Sequence, residues 1–354
     1  MSRVIVHDLT NKPVDEFDAM MDSFWTINGN PFASGSGYSD IQVPASVAAK
    51  QSLQFGRMVL VNHPQNRLLP WVGMLDTPWY LGMPIKARLY NAEYLLNLRC
   101  PDSPFKMSGS MAQIFTECIR QINAQEELYV RLGDTSGLPA TTIDVTFDQR
   151  PFWDQLKKLL TDYGAELVAR PVIDASDGNR LYVYLDVQQQ VGLNTGCLLH
   201  DGAQANIRIS TSDSVIDAVT KNGLIINRVI GISGASTSAS RKQTAPQLDP
   251  ASQGTYRLRS TVQQFPSTDT DSTLLAGAQN FLINNSTPIL KLRAQIMDIG
   301  QAWTACAPGN IVLVSVANIY LPGGIHGWTG PMRIVTMEHQ EASGFLLADL
   351  FGSL

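Results

Sequence analysis

Five histidines, His7, His63, His200, His326 and His339, are the residues from which a metal site or a general base could be built. No two of them form an HExxH pair, so a zinc-protease site of that type is not predicted. His339-Gln-Glu341 has the HxE form of a zinc deaminase but lacks the PCxxC partner that such a site needs. Four cysteines, Cys100, Cys118, Cys197 and Cys306, lie far apart with no CxxC, and read as reduced, mostly buried small hydrophobes. The serines sit in strings such as Ser34-Gly-Ser-Gly37, without the GxSxG elbow that would expose a nucleophile. Neither a Walker loop nor a GxGxxG after a strand is present, which leaves phosphate and dinucleotide cradling unsupported. Paired carboxylates are placed by a fold and not by spacing. Asp15-Glu16 and Asp269/Asp271 are the obvious clusters; solvated surface carboxylates are the simpler reading, with a calcium site at Asp269/Asp271 the alternative. The expectation is a protein that is not an enzyme, with no catalytic, cofactor or metal-binding residues.

One segment has the residue types of a contact surface: Leu68-Leu-Pro-Trp-Val-Gly-Met-Leu-Asp-Thr-Pro-Trp-Tyr-Leu-Gly-Met83. Trp71, Trp79, Tyr80, Leu81 and Met83 stand among Pro and Gly breakers, where a regular helix cannot bury them on one side. Core filler, a subunit interface and a sugar- or membrane-contacting tip all fit, and aromatic and Met enrichment favours an interface over a bare loop. Trp328, in Pro322-Gly-Gly-Ile-His-Gly-Trp-Thr-Gly330, is a second tip candidate, although that stretch reads more simply as a hairpin turn.

The elements that would position these residues come from periodicity. Up to about residue 103 the chain reads as β-structure, with strands over 41–47, 57–62 and from Ile85 onward. Between 104 and 190 the period changes. Met111, Ile114, Phe115, Cys118, Ile119 and Ile122 follow a Ser110/Gln113 capping box, and a second helix opens at Pro151 and stops at Gly164. Strands over 167–172 and 181–187, joined by a turn at Asp177-Gly178, complete a small α+β domain. From 191 to 354 β-structure returns, with strands over 225–232, 256–263, 290–297, 311–321, 332–338 and 345–350 and one helix around 274–282. The stretch 233–254 is predicted to be a polar loop that does not pack.

At 354 residues the chain is long enough for two or three domains. Hydrophobic residues make up 44% and charged residues only 16%, below the roughly 25% of an ordinary soluble domain. That deficit implies surfaces covered by partners. The net charge of −5 and the scattered Lys and Arg exclude a basic arm for gripping a duplex. Without a signal-peptide core or an apolar run near the roughly 20 residues of a membrane span, cytoplasmic synthesis is expected.

The order of these features resembles the hub proteins of phage tails, including baseplate hubs and the N-terminal part of tail-associated lysins. The resemblance is carried by Phe105-Lys-Met-Ser-Gly-Ser-Met-Ala-Gln-Ile-Phe-Thr-Glu-Cys-Ile-Arg-Gln-Ile-Asn123, by the segment from Phe147 to Glu166 running into the 181–187 strand, by Ile226-Asn-Arg-Val-Ile-Gly231, and by Cys306-Ala-Pro-Gly-Asn-Ile-Val-Leu-Val314. It implies a β-rich α+β fold with two tail-tube-like β-barrel domains, in 1–103 and 191–354, and a smaller inserted α/β domain in 104–190. It also implies a homotrimeric ring in the virion that caps the tail tube and adapts six-fold to three-fold symmetry. Tail-tube or distal tail protein would sit above, with a central fibre, spike or lysin below. No fused hydrolase, cofactor or sequence-specific nucleic-acid contact is expected, and membrane contact only through the assembly. The rival readings are a receptor- or carbohydrate-binding tail protein and a cell-wall or polysaccharide hydrolase with an unrecognised carboxylate pair.

Overall fold

Alternation along Pro13–Thr26 buries Phe17, Ala19, Met21, Ser23 and Trp25 and turns the residues between them outward, as a strand with one face in a core must. In the computed structural model, which describes residues 1–30, 37–43, 52–63, 67–75, 85–210, 215–217, 225–233, 241–265, 271–299, 302–321 and 325–353, this strand is the spine of the fold. It is β2, and with β1 (Ser2–His7), β3 (Tyr38–Val43), β4 (Met58–Asn62), β5 (Trp71–Leu75) and β6 (Ile85–Asn91) it forms a closed six-strand barrel in the order β1-β4-β5-β6-β3-β2, sealed by pairing of β1 with β2. Strand pairing that returns to its starting strand leaves no free edge.

The continuous apolar run Met58-Val-Leu-Val61 has a tertiary cause. Val59 and Val61 face the barrel core, whereas Met58 and Leu60 enter a second core on the outside. β5 does the same, sending Trp71 and Leu75 inward and Val72 and Met74 outward, so all five of its residues are buried. Inside the barrel the Trp71 ring lies over Gly73, where a Cβ would stand 2.0 Å from a ring carbon and 2.5 Å from the Tyr90 carbonyl oxygen. Gly73→Ala is expected to cost about 1–3 kcal/mol by overpacking. Urea unfolding followed by tryptophan fluorescence checks this; a neutral variant would mean that Trp71 moves freely.

The outer core belongs to the inserted segment: β7 (Phe105–Gly109), α1 (Met111–Gln125), β8 (Val130–Leu132), β9 (Ile143–Phe147), α2 (Phe152–Tyr163), β10 (Glu166–Asp174) and β11 (Arg180–Gln188). The capping box forms as the sequence predicts, with Gln113 N–H donating to Ser110 Oγ and Ser110 N–H to Gln113 Oε1. Gly164 ends α2 at φ +64. The helices pack on one face of the sheet β10-β11-β8, where Leu181, Val183, Leu185 and Val187 alternate inward.

A second run of strands follows: β12 (Asn194–His200), β13 (Ile207–Ile209), β14 (Val215–Asp217), then, beyond an inserted unit, the last four. The unit contains β15 (Arg228–Ser233), β16 (Gln247–Leu248), α3 (Pro250–Tyr256), β17 (Ser260–Phe265) and α4 (Asp271–Asn285). Then come β18 (Ile289–Ile296), β19 (Ile311–Leu321), β20 (Ile325–Gln340) and β21 (Phe345–Ser353). Pairings run β12-β19-β20-β21-β18-β13. Asn206 bridges the two ends, donating its backbone N–H to His200 O and Nδ2 to Leu198 O, and accepting His200 N–H at Oδ1. β20 also pairs with β2, from Ser23↔His339 to Thr26↔Thr336, so the closed barrel and the second run form one thirteen-stranded sheet with a continuous core from Val4 to Leu350.

Three local readings are corrected. The strand from Ile85 stops at Asn91, and Ala92–Asn97 forms a 3-10 helix. The strand expected from Tyr256 starts at Ser260, because Arg257 adopts φ +63 and breaks the chain direction. The polar stretch 233–254 is not one loop: Ser233 ends β15, residues 234–240 lie outside the described residues, and 241–256 form β16 and α3, giving this region a second helix. Asp249 caps α3 by accepting Ser252 N–H, Pro250 occupies the first turn, and Thr244 exchanges hydrogen bonds with Gly231. Side-chain caps satisfy the backbone here without apolar residues. Among the described residues no helix is long and apolar enough to cross a membrane.

Candidate functional site

The predicted contact residues separate. Trp71 is a core residue, 2% exposed, with Nε1 donating to Phe24 O at 3.0 Å, and therefore cannot be a tip contact. Trp79, Tyr80, Leu81 and Met83 lie outside the described residues. Trp328 is half-buried on β20, packed against the core and against Gly330. Of the acidic clusters, Glu16 is ion-paired with Arg3, Asp15 Oδ2 accepts Ser52 Oγ, Asp271 faces Lys242 at 3.3 Å, and Asp269 lies outside the described residues. The four cysteines are free: Cys118 and Cys306 are buried, burial pushing the Cys306 thiol up to about 12, whereas Cys100 is exposed and Cys197 half-buried. No group of three His, Cys, Asp or Glu gathers to hold a metal among the described residues.

Two polar constellations assemble from distant parts of the chain. In the first, Ser2 Oγ donates to Glu341 Oε2 at 2.8 Å and lies 3.2 Å from His63 Nδ1. A hydroxyl has one proton, so the contact with His63 places the proton on Nδ1. This is the reverse of what activates a serine, where the imidazole must accept. His63 packs against Trp25 and His339, and His339 against Trp303. Ser2, His63 and His339 are each at most 3% exposed. Burial and the neighbouring His339 depress His63 to about 3; burial depresses His7 to about 4 and lowers His339 as well. The imidazoles form a buried polar seam where β1, β2, β4 and β20 meet, beside Glu341, whose carboxylate faces the N-terminal ammonium at 3.2 Å.

The second constellation ties the inserted domain to the second run. Arg333 on β20 forms a two-pronged ion pair with Glu166 at the start of β10, Nη1 to Oε1 at 2.5 Å and Nη2 to Oε2. The same guanidinium donates to Val191 O and Gly309 O. Glu166 also accepts Asn30 Nδ2 at 2.7 Å and the Val191 N–H at 3.0 Å. Every polar atom of the pair is thereby satisfied, which a buried ion pair requires. It lines a cleft of about 720 Å³ shared with Asn280, Asn284 and Phe351.

Exposed apolar residues cluster at sheet edges. Leu193 precedes β12, and Leu198 and Leu313 are cross-strand partners on β12 and β19, all three exposed. Among the described residues, β19 is the one strand that pairs with β12. In the small sheet β16-β15-β17, exposed Val262 lies on the edge strand β17, exposed Leu258 precedes it, and exposed Leu248 lies on the opposite edge strand β16. Unpaired edges with apolar side chains are the surfaces that natural proteins cover by association. Neither edge was singled out from the sequence, because exposure on one face of a strand depends on what packs against the other.

No protein-family profile matches the sequence, and no curated protein is similar to it in sequence. Solved structures are similar in fold. A prophage tail protein, gp18, from Listeria monocytogenes matches with a TM-score of 0.59 at 14% identity, covering 99% of this chain and 94% of that one. A tail protein from Neisseria meningitidis matches at 0.58 and 13%, covering 99% and 96%. The chain has the fold of phage tail proteins. A prophage MuSo2 tail protein from Shewanella oneidensis extends the likeness, at 0.54 and 13% with 99% and 98% covered. The β-rich α+β class and the barrel architecture expected from the order of sequence features are those of the structure.

Proposed function

We propose that the chain is a structural subunit of a phage or phage-like tail tip or baseplate, present in the virion and made in the host cytoplasm. Three copies form a hub ring that caps the tail tube and anchors a central fibre, spike or lysin. The observation that carries this reading is a fold shared along 99% of the chain with tail proteins. A closed six-strand barrel joined to a second run of seven strands gives each subunit two β-halves, so a trimer would offer six to a six-fold tube. Closed rings of identical chains use two different, complementary patches per subunit. The β12 and β17 edges supply apolar surface on separate units. The subunit works by assembly, without catalysis and without sequence-specific nucleic-acid contact.

Light scattering on the purified chain tests this. A trimer, or a monomer that trimerises when tail-tube protein is added, is the expected result. The double substitution Leu198→Asp, Leu313→Lys should then return monomers with a little-changed melting temperature, because both side chains are exposed in the single subunit and the new charges are opposite across the strand pair. A wild-type chain that stays monomeric at all concentrations and ignores tube protein would overturn the reading.

A further inference from the structure

A pocket of about 330 Å³ opens where the 3-10 helix after β6 meets the first turn of α2 and the turn after β2. Its walls combine flat rings with carboxamides. Tyr90 and Tyr94 stack with centroids 4.4 Å apart and planes 17° apart, and Trp153 joins them from α2. Asn91 is 8% exposed; its Nδ2 donates to Phe24 O at 3.3 Å, and its Oδ1 is a buried acceptor with no hydrogen-bond partner. Glu93 is 7% exposed and accepts Asn28 Nδ2 at 2.9 Å. At the rim the charges of Asp154 and Lys157 oppose each other.

We propose that this pocket binds one uncharged pyranose sugar. A pyranose has the matching chemistry. Its C–H face carries partial positive charge that rests on the negative face of an aromatic ring, and its rim of hydroxyls needs groups that both donate and accept, as carboxamides do. The volume lies at the lower bound of about 300 Å³ for small-ligand sites, enough for a single ring. An anion would meet the carboxyl groups of Glu93 and Asp154, and an apolar ligand would leave the Asn91 Oδ1 acceptor unpaired. Burial raises the Glu93 carboxyl to about 7, which lets it serve as donor or acceptor to a hydroxyl near neutrality. Strongly shifted groups concentrate at binding sites more than on plain surface. This proposal stands independently of the ring, since the pocket lies within one subunit.

The experiment titrates the full-length chain with the methyl glycosides of glucose, galactose and N-acetylglucosamine, reading saturation-transfer NMR and tryptophan fluorescence. At least one should bind saturably in the millimolar range. Trp153→Ala should weaken that binding about tenfold, equivalent to the loss of about 1.4 kcal/mol. Asn97→Ala, a half-buried rim change that leaves the core untouched, should weaken it several-fold and decides the matter if the tryptophan variant misfolds. Trp303→Phe, in the histidine seam and outside the pocket lining, should leave it unchanged. Absence of saturable binding by all three glycosides, or wild-type affinity in the pocket variants, overturns the proposal whatever the oligomeric state proves to be.

Discussion

Arg333→Met is expected to lower the unfolding free energy by about 3–5 kcal/mol, the cost of leaving a buried carboxylate without its counter-charge. Glu166 is 6% exposed and would keep only the Asn30 and Val191 donors, while Val191 O and Gly309 O would each lose a hydrogen bond. Methionine roughly preserves side-chain length, so lost volume contributes little. The same pair removed together, Arg333→Met with Glu166→Gln, should cost clearly less than the sum of the single changes, because no unpaired charge remains. Urea unfolding of the three variants at neutral pH measures the coupling. If the effects simply add, or if Arg333→Met costs less than about 1 kcal/mol as an exposed pair would, the pair is not what joins the inserted domain to β20.

Acidification should destabilise the protein through its buried imidazoles. The folded state holds His63 near 3 and His7 near 4, whereas an unfolded imidazole titrates near 6.5. Above 6.5 both states are neutral and the groups do not distinguish them. As pH falls below 6.5 the unfolded chain binds protons that the folded chain refuses, and stability declines until pH reaches the folded values. Over pH 7 to 4 the two histidines together cost about 6 kcal/mol, and His339 acts in the same direction. Glu93 has the opposite sign. Its carboxyl is held at about 7 when folded, so its burial penalty appears as pH rises above the ordinary carboxylate range and is relieved on acidification. That relief returns about 3 kcal/mol over the same interval. Wild-type protein should therefore show about half the acid loss of Glu93→Gln, which should also be the more stable of the two above pH 7. Chemical unfolding at a series of pH values reads both curves. Parallel curves for the two proteins would show that Glu93 is not held protonated, and a flat profile from pH 7 to 4 would show that the seam is hydrated.

Much of the fold was legible because its signals are local. A capping box, a proline in the first turn and a glycine at φ +64 act through neighbours in sequence, so α1 and α2 stand where the spacing places them. Alternation in β11 and β18 reports burial on one face, and a strand reveals that by itself. Where the local rule competed with another, the reading slipped. The polar stretch 233–254 reads as a loop that does not pack, but Asp249, Pro250 and Thr244 within it satisfy the backbone by capping and side-chain bonds. Likewise the aromatic segment around Trp71 combined a buried strand with residues beyond it, and composition could not say which ring entered the barrel.

By itself, then, the sequence determined the two helices of the inserted domain, the strands of 181–187 and 290–350 and their order, and thereby the resemblance to phage tail hubs, since each depends on contacts a few residues long. Only the tertiary structure decided what meets across the sheets. Ser2, His63 and Glu341 touch across separations of 61 and 339 residues, and Glu166 and Arg333 across 167. The pocket walled by Tyr90, Tyr94 and Trp153 likewise exists only once α2 is laid against the first barrel. Such contacts are fixed by barrel closure and by the β2–β20 pairing, which balance loop entropy against burial over the whole chain and leave no periodic trace in any one segment.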